Sequence, residues 1–235
     1  VPGARERMME YLHYYGLQPD EGILMDGEGV GEYGPYIQSH RVDVYNAFIA
    51  DFVERGYAYP CFMTQEELEK VREEQTAMKV RPGVYGKYAK YASITNAEAK
   101  DRIDRGDSYV IRLRSEGEFD NKVSFNDEIM GHMELSQNDE HFVLAKSDGV
   151  PTYHFAHLID DYLMRVTFVV RANEWVASVT KHLELWEKLG VPAPKYGHLM
   201  PINKKEGNTV RKLSKRKDRE ASVSFYIESG YTKDA

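Results

Sequence analysis

The last third of the chain alternates between helical and strand patterns, and this alternation restricts the possible folds more than any other feature. A helical pattern over 153–164 precedes a run of β-branched and aromatic residues at 166–170. A second helical pattern, at 173–189, ends at Gly190, and a short strand pattern follows at 196–199. The succession of strand, helix and strand is typical of a parallel sheet covered by helices. We therefore expect an α/β fold, of which this chain supplies part of the sheet.

Residues 60–150 have a different pattern. A threonine stands three positions before a glutamate twice, at Thr64 with Glu67 and at Thr95 with Glu98. This spacing is typical of a capping box at the start of a helix. The predicted elements are helices at 65–78 and 96–105 and strands near 109–114, 122–125, 131–136 and 141–146. They indicate a small α+β module.

The N-terminal region combines helical patterns at 4–15 and 38–55 with a glycine-rich stretch between them. Five glycines lie within 22–34, a density that predicts an irregular connection without strands or helices. The stretch lacks the lysine of a phosphate-binding loop and follows no strand pattern, which excludes that kind of nucleotide site here.

Positive charge is concentrated near the C-terminus of an otherwise acidic chain. The formal net charge is −7, yet residues 204–219 carry eight basic and two acidic side chains, a local +6, so the remainder sums to −13. Such a cluster favours a site for a nucleotide or an RNA backbone, although a short basic run alone is more typical of a solvated surface. Gly207, Asn208 and Thr209 precede its core and predict a flexible hinge.

Cysteine content and hydropathy limit the remaining classes of protein. Cys61 is the single cysteine, which excludes an internal disulfide and a zinc site built from several thiolates. No apolar run reaches the roughly 18–20 residues that a membrane span needs. A reducing cytoplasm fits these observations.

Five separated segments, in this order along the chain, resemble glutamyl-tRNA synthetases of the bacterial type, which are class I aminoacyl-tRNA synthetases. The segments are 33–39, 147–149, 151–161, 170–175 and 212–216, the last reading Lys-Leu-Ser-Lys-Arg. The resemblance covers nearly the whole chain. It implies a partial Rossmann-like class I synthetase catalytic domain that contains an inserted α+β module for the tRNA acceptor stem.

The resemblance also implies a division into domains. Residues 1–59 correspond to the first, incomplete part of the Rossmann catalytic domain, and 60–150 to the inserted acceptor-binding module. Residues 151–216 correspond to the second half with the lysine signature, and 217–235 to the start of a helical region that contacts the tRNA stem. The family's first signature, of the His-Ile-Gly-His type, and its anticodon-binding region are absent. We therefore expect a fragment that is inactive alone.

The activity implied by the resemblance is glutamate–tRNA ligation. Glutamate and ATP form glutamyl-adenylate, and the glutamyl group then passes to the 3′ end of tRNA(Glu). By position, Lys212 and Lys215 would be catalytic. The implied ATP-binding residues are Glu174, Ile202, Lys212, Leu213, Ser214, Lys215 and Arg216, and the implied glutamate-binding residues are Tyr153, His157 and Arg171.

The expected partners are ATP with Mg²⁺ as its substrate complex, L-glutamate and tRNA(Glu). We expect a cytoplasmic monomer without membrane contacts. No zinc is expected, because only Cys61 remains where some bacterial relatives carry a cysteine cluster. The alternatives are the related synthetase that glutamylates queuosine in tRNA(Asp) and a non-catalytic tRNA-binding module. A glutaminyl-tRNA synthetase fits less well, because Arg171 suits a carboxylate better than an amide.

Three residue patterns have structural explanations as well. Arg171 could pair with Glu174 instead of binding a ligand. The histidines and aspartates within 154–161 imitate metal-ligand spacing, but they match no catalytic zinc signature, and no metal site is predicted. The tyrosines and lysines of 85–91 either bind RNA or cover the inserted module.

Overall fold

The computed structural model describes residues 3–214 and 216–233. Its residues group into two compact units. One unit is the continuous segment Ile37–His198, and the other combines Val1–Tyr36 with Leu199–Ala235. Within the described part of the chain, no helix has the length and apolar character needed to cross a membrane.

The structure contains both helices and strands throughout. The helices are α1 (Ala4–Tyr14), α2 (Val42–Glu54), α3 (Gln65–Ala77), α4 (Asn96–Asp104), α5 (Tyr153–Leu163), α6 (Val179–Leu189) and α7 (Val223–Glu228). Short 3-10 helices occupy Gln38–His40, Gly86–Tyr88, Asn173–Ser178 and Arg219–Ala221. The strands are β1 (Gly22–Ile23), β2 (Gly29–Val30), β3 (Ala58–Cys61), β4 (Val110–Leu113), β5 (Lys122–Asp127), β6 (Gly131–Ser136), β7 (Val143–Ala145), β8 (Phe168–Ala172), β9 (Lys195–Leu199), β10 (Asn203–Glu206) and β11 (Thr209–Lys212).

The hydrophobic core of the unit Ile37–His198 packs α2, α5 and α6 around the sheet β3-β4-β7. Phe52 of α2 meets Phe155 of α5 edge to face, with ring centroids 5.3 Å apart. The start of α2 is tied to α5 by Asp160, which accepts hydrogen bonds from Arg41 Nε at 2.7 Å and from the Tyr45 hydroxyl. This core includes residues from both sides of 59/60 and of 150/151, and the functional division proposed at those boundaries stays a prediction.

Both predicted capping boxes are confirmed. Thr64 Oγ1 accepts the backbone N–H of Glu67 at 3.2 Å, and the Glu67 carboxylate accepts the backbone N–H of Thr64 at 2.9 Å. Thr95 and Glu98 repeat the arrangement at the start of α4. Each box satisfies N–H groups that the first helical turn leaves unpaired.

The segment 85–91 covers α3. Its lysines form ion pairs with α3 glutamates, Lys87 with Glu74 at 2.5 Å and Lys90 with Glu67 at 2.6 Å. The Tyr88 side chain is buried. These contacts favour the structural explanation of this basic, tyrosine-rich segment.

The predicted strand–helix–strand unit is present as β8, α6 and β9, with β8 paired to β9. Two of its boundaries were wrong. The strand starts at Phe168 rather than at 166, and the single helix predicted over 173–189 is a 3-10 helix followed by α6. The antiparallel hairpin β5–β6 joins this unit, because the backbone N–H of Glu128 donates to the carbonyl of Tyr196 in β9 at 2.9 Å.

Three further elements differ from the sequence predictions. The glycine-rich stretch 22–34 contains the short antiparallel pair β1–β2, because glycines at its turns adopt positive φ and leave two residues on each side free to pair. Strand β3 was missed, since Pro60 weakens its strand pattern; proline is tolerated there because β3 is an edge strand. The hairpin β10–β11 was not predicted; the predicted hinge at 207–209 falls at its turn, and the flexibility of that segment stays a prediction.

Candidate functional site

Arg171 lies near the end of β8 and is held by two imidazole rings. Its Nε–H donates to His198 Nε2 at 3.0 Å, and its Nη1 contacts His182 Nδ1 at 3.1 Å. Nη2 donates weakly to the carbonyl of Trp175 at 3.5 Å, and the guanidinium lies 4.9 Å from the ring centre of Tyr196. These partners are neutral groups, so the half-buried guanidinium keeps its positive charge without an acidic partner in these contacts.

The guanidinium fixes the proton positions of three histidines, because it can only donate hydrogen bonds. His198 Nε2 must therefore accept, which leaves the proton on Nδ1, 2.5 Å from Asp127 Oδ2. His182 Nδ1 must likewise accept, so its Nε2–H donates to His154 Nδ1 at 2.9 Å. A continuous chain of hydrogen bonds thus runs from Asp127 through His198, Arg171 and His182 to His154, which we call the imidazole chain.

Asp127 supplies the negative end of the imidazole chain. Burial opposes ionisation of this carboxyl group, but hydrogen bonds from the His198 ring and from the backbone N–H groups of Met130, His198 and Ile129 outweigh that effect and lower its pKa to about 2. The side chains of Asp127 and His198 are both fully buried. Asp127 is therefore ionised at neutral pH and keeps the Nδ1–H tautomer of His198.

The other end of the chain is uncharged. Burial, with a contribution from His157 and Arg171, lowers the pKa of His182 to about 2. Burial, followed by the repulsion of Lys181, lowers the pKa of His154 to about 4. Both rings are neutral at pH 7, as their acceptor roles beside Arg171 require.

An aromatic surface adjoins the imidazole chain at the start of α5. The Tyr153 ring stacks on His157 with centroids 5.7 Å apart and packs against Trp175 at 4.5 Å. His157 Nδ1 lies 2.8 Å from Asp161 Oδ2. Tyr153 remains 47% exposed, which leaves one side of this surface open to a ligand.

The structure brings together the three residues predicted to bind the amino acid. Tyr153 and His157 are in contact, and both adjoin His182, the partner of Arg171. Glu174, predicted to contact the nucleotide, lies in the 3-10 helix after β8 and is exposed. Arg171 uses three of its five N–H groups on described residues, so two remain with which to bind a carboxylate. The ligand roles of these residues stay predictions.

The lysine signature continues from the hairpin β10–β11 in the other compact unit. Asn203 pairs with Lys212 at the open end of the hairpin, and Gly207 supplies its turn with φ +60°. The backbone N–H of Leu213 donates to the carbonyl of Ile202 at 2.9 Å, and Ile202 is 75% exposed. The hairpin therefore places Ile202 beside Leu213, and the nucleotide roles of both residues stay predictions.

Part of the positive charge in the lysine segment is neutralised internally. Arg211 contacts Asp218 at 2.7 Å and Glu206 at 2.5 Å, and Lys204 contacts Asp218 at 3.3 Å. Asp218 also accepts the backbone N–H of Ser214 at 2.9 Å. Glu206 and Asp218 are already counted in the local charge of +6, so these contacts leave that sum unchanged and show that Arg211 and Lys204 are the cations paired with them.

The remaining described residues of the lysine signature differ in their exposure to solvent. Lys212 and Arg216 are exposed, and Ser214 is half-buried. Lys215, predicted to be catalytic, lies outside the described residues. The predicted nucleotide roles of all four residues stay predictions.

The structure gives local explanations for the metal-like spacing at 154–161. Asp160 binds Arg41 and Tyr45, and Asp161 lies against His157. Across the described ranges, no group of three or more histidine, cysteine, aspartate or glutamate side chains has the geometry to hold a metal ion.

Sequence reasoning missed Asp127, His182 and His198, which are the partners that define the surroundings of Arg171. One signal was available, because Tyr196 and His198 are two positions apart in a predicted strand and therefore share a face. Asp127 had no comparable signal, since its role depends on a contact with a residue 71 positions away.

Comparison with known proteins links this geometry to one family. Residues 1–235 match a family model described as the catalytic domain of class I tRNA synthetases for E and Q, the one-letter codes of glutamate and glutamine. The chain is 49% identical over 231 residues to the glutamate–tRNA ligase of Clostridium perfringens strain 13, covering 98% of this chain and 42% of the relative. It is 41% identical over 256 residues to that of Sorangium cellulosum, covering 98% of the chain and 45% of the relative.

Solved structures give the same result for the fold. A glutamate–tRNA ligase from Elizabethkingia meningosepticum, determined in complex with its amino acid, superposes with a TM-score of 0.80 at 36% identity. The match covers 94% of this chain and 43% of that protein. A glutamate–tRNA synthetase from Elizabethkingia anophelis gives a TM-score of 0.78, also at 36% identity, over 98% of the chain and 44% of that protein. The chain thus spans less than half the length of these relatives.

Proposed function

The chain belongs to the family of class I tRNA synthetases for glutamate and glutamine, as part of its catalytic domain, and from this premise we propose that the protein is a glutamate–tRNA ligase. It activates L-glutamate with ATP and transfers the glutamyl group to the 3′ end of tRNA(Glu). The mixed helix and strand architecture is that of a class I synthetase catalytic domain.

The observation that carries this proposal is the charge state of Arg171. Its hydrogen-bond partners are neutral imidazoles and a carbonyl, so its positive charge is retained for an anionic ligand. A guanidinium grips a carboxylate through two parallel N–H···O bonds, and the amide of glutamine cannot accept both. Tyr153, stacked on His157, offers a surface for the aliphatic part of the amino acid. This environment favours glutamate over glutamine.

The nucleotide half of the reaction is assigned to the lysine signature. Lys212, Lys215 and Arg216 are cations of the type that neutralises the phosphates of ATP bound with Mg²⁺. Ile202 is an exposed apolar residue beside Leu213, which suits packing against the adenine ring. Glu174 and Ser214 would hydrogen-bond the nucleotide.

The proposed chemistry proceeds in two displacements. A carboxylate oxygen of the glutamate α-carboxyl group attacks the α-phosphorus, and pyrophosphate departs with the electron pair of the broken P–O bond. A ribose hydroxyl of the tRNA then attacks the acyl carbon and loses its proton, and AMP departs with the electron pair of the broken bond between the acyl carbon and its phosphate oxygen. Positive charge near the departing pyrophosphate lowers the barrier to the first step, because negative charge accumulates there in the transition state. Arg171 binds the glutamate side chain and takes no part in bond formation.

Glutamate-dependent exchange of pyrophosphate into ATP tests the proposal. The complete protein should catalyse exchange with L-glutamate and not with L-glutamine, with tRNA(Glu) added in parallel reactions. Lys215→Ala should reduce the exchange rate by about 10²- to 10³-fold while changing the KM for ATP much less.

Lys217→Ala is the matched control, since Lys217 is an exposed lysine of the same segment outside the signature. It should retain the exchange rate within about twofold, as expected for a solvated surface charge. Exchange that is equally fast with glutamine, or that persists unchanged in Lys215→Ala, would refute the assignment. The proposed partners are tRNA(Glu), L-glutamate and ATP, for a monomeric cytoplasmic enzyme.

A further inference from the structure

We propose that Asp127 and His198 are positioning residues that orient Arg171 for the side-chain carboxylate of glutamate. The inference rests on the proposed function, since it names residues that act through Arg171. Asp127 belongs to the hairpin β5–β6 and His198 to β9, so neither lies in the same chain segment as Arg171. Together they determine which N–H groups of the guanidinium are occupied and which remain for the ligand.

The hairpin fixes the Asp127 carboxylate rigidly. Its Oδ1 accepts three backbone N–H groups, from Ile129 at 3.0 Å, Met130 at 2.8 Å and His198 at 3.1 Å. Its other oxygen, Oδ2, faces His198 Nδ1 at 2.5 Å. The two oxygens therefore have different tasks: Oδ1 binds the backbone, and Oδ2 sets the proton of one imidazole.

His198 is equally constrained. Its side chain is fully buried, and its ring lies nearly parallel to that of Tyr196, 13° apart in plane at a centroid distance of 6.2 Å. With the proton held on Nδ1 by Asp127, the lone pair on Nε2 accepts the Nε–H of Arg171 at 3.0 Å. Occupying Nε in this way fixes the plane of the guanidinium, and the two N–H groups of its terminal nitrogens that His182 and Trp175 do not use remain for the ligand.

This geometry makes Asp127→Asn an informative substitution. Three backbone N–H groups require an acceptor at the Oδ1 position, so the asparagine oxygen must stay there. Its NH₂ group then faces His198 Nδ1, which must become an acceptor, and the ring proton moves to Nε2. Two N–H donors, His198 Nε2–H and Arg171 Nε–H, would point at each other, and the guanidinium would be displaced. The variant thus keeps the turn and reverses the tautomer.

The test compares Asp127→Asn with Glu128→Gln in the complete protein. Glu128 is the adjacent residue and forms an ion pair with Lys195 of β9 at 3.1 Å, so it controls for loss of a carboxylate at this hairpin. Nitrogen-15 NMR shifts of the histidine rings report the tautomer of His198 without any substrate. Pyrophosphate exchange reports KM for glutamate, KM for ATP and kcat.

We expect Asp127→Asn to convert His198 from the Nδ1–H to the Nε2–H tautomer and to raise the KM for glutamate by about 10- to 100-fold, because the carboxylate-binding group is misplaced. The KM for ATP should stay within about twofold. Glu128→Gln should leave the tautomer and both KM values at wild-type levels.

A double-mutant cycle separates positioning from a general loss of structure. In a His198→Gln background no tautomer can be reversed, so adding Asp127→Asn should raise the KM for glutamate by less than about threefold further. If each substitution raised the KM for glutamate by its own factor and the two factors multiplied in the double variant, Asp127 would not act through His198. That result would overturn the proposal.

Two other results would overturn it as well. One is an unchanged His198 tautomer in Asp127→Asn, and the other is a reversed tautomer with an unchanged KM for glutamate. A wild-type protein that does not use glutamate would instead overturn the proposed function, and with it the role in glutamate binding. The NMR measurement distinguishes that case, because the wild-type Nδ1–H tautomer of His198 would still be present.

Discussion

Two arginines of this protein show how the partners of a cation decide whether it can bind a ligand. Arg171 donates to the neutral rings of His182 and His198, whereas Arg211 in the hairpin β10–β11 contacts the carboxylates of Glu206 and Asp218. Both side chains have well-defined geometry. Only Arg171 has its hydrogen-bonding directions fixed by neutral groups, so that no carboxylate in direct contact offsets its positive charge.

Charge density alone would rank these arginines in the opposite order. Arg211 lies in a conspicuous basic cluster, and Arg171 stands alone near the end of the strand β8. The structure reverses the ranking, because the pairing of Arg211 lowers the pKa of both Glu206 and Asp218 and so stabilises their charged forms. Local charge density therefore predicts an anion site poorly unless it is known which cations are paired with the internal carboxylates.

The largest effect that we expect from this contrast concerns glutamate recognition. Arg171→Ala should raise the KM for glutamate by about 30- to 1000-fold, equivalent to roughly 2–4 kcal/mol, because the ligand carboxylate loses a charge-assisted contact and is left unpaired. The KM for ATP should change far less. Pyrophosphate exchange at varied concentrations of each substrate measures both values.

Arg211→Ala is the paired comparison. It should leave the KM for glutamate within about twofold of the wild-type value, since the partners of Arg211 are Glu206 of the same hairpin and Asp218 shortly after it, and neither is a hydrogen-bond partner of Arg171. If Arg171→Ala also stays within twofold, Arg171 has a structural role and the carboxylate is recognised by other residues.

A smaller effect concerns the pH at which the two regions lose stability. The pKa values of His154 and His182 are lowered to about 4 and about 2, from about 6.5. As the pH falls below 6.5, the unfolded chain binds protons at these residues and the native protein does not, so the free energy of unfolding decreases. Two such sites together contribute a slope approaching about 3 kcal/mol per pH unit. The carboxylates of Glu206 and Asp218, whose pKa values are lowered, contribute stability that is lost only at more acidic pH, below about 4.

Urea unfolding between pH 7 and pH 5 measures this slope. His182→Gln keeps an acceptor for Arg171 and a donor for His154 but cannot be protonated, so it should reduce the slope by about 1.4 kcal/mol per pH unit. His132→Gln is the control, because His132 is exposed on β6. An unchanged slope in His182→Gln would contradict the assignment of a neutral, buried His182.

The smallest expected effect concerns the anion affinity of the hairpin. Glu206→Gln removes one of the carboxylates that neutralise Arg211. It should strengthen the binding of pyrophosphate by about twofold at low salt, and the gain should disappear above roughly 0.15 M salt because the charges are exposed. Isothermal titration at two salt concentrations measures it. Weaker binding in the variant would show that Glu206 orders the site more than it neutralises it.

Local patterns explain which parts of the fold could be predicted. The capping threonines Thr64 and Thr95 fixed two helix starts, because a capping box depends on residues three positions apart. The hairpin β10–β11 was missed because its strands are rich in lysine and arginine, which strand propensities do not favour. The start of β8 was misplaced because 166–170 consists of β-branched and aromatic residues throughout and offers no internal boundary.

For the candidate site, the predictable part was the set of residues carried by recognisable segments. Tyr153, His157 and Arg171 were named from such segments, and the structure brings them together. Their supporting partners were not predictable, since Asp127 and His198 become neighbours only after the chain folds. Burial and proton position determine what Arg171 can bind, and neither property is encoded by residue spacing.

The same long-range contact determines when the site can form during synthesis. Asp127 and His198 are 71 residues apart, whereas the strands of the hairpin β10–β11 pair residues at most nine apart, Asn203 with Lys212. At a translation rate of about 5–20 residues per second, the ribosome adds His198 roughly 4 to 14 seconds after Asp127. Asp127 lacks its imidazole partner throughout that interval, and β9 must dock before Arg171 acquires its acceptor. The hairpin β10–β11 can close as soon as its residues leave the exit tunnel. Amino-acid recognition depends instead on the folding step that brings together residues far apart in the chain, Asp127 and His198.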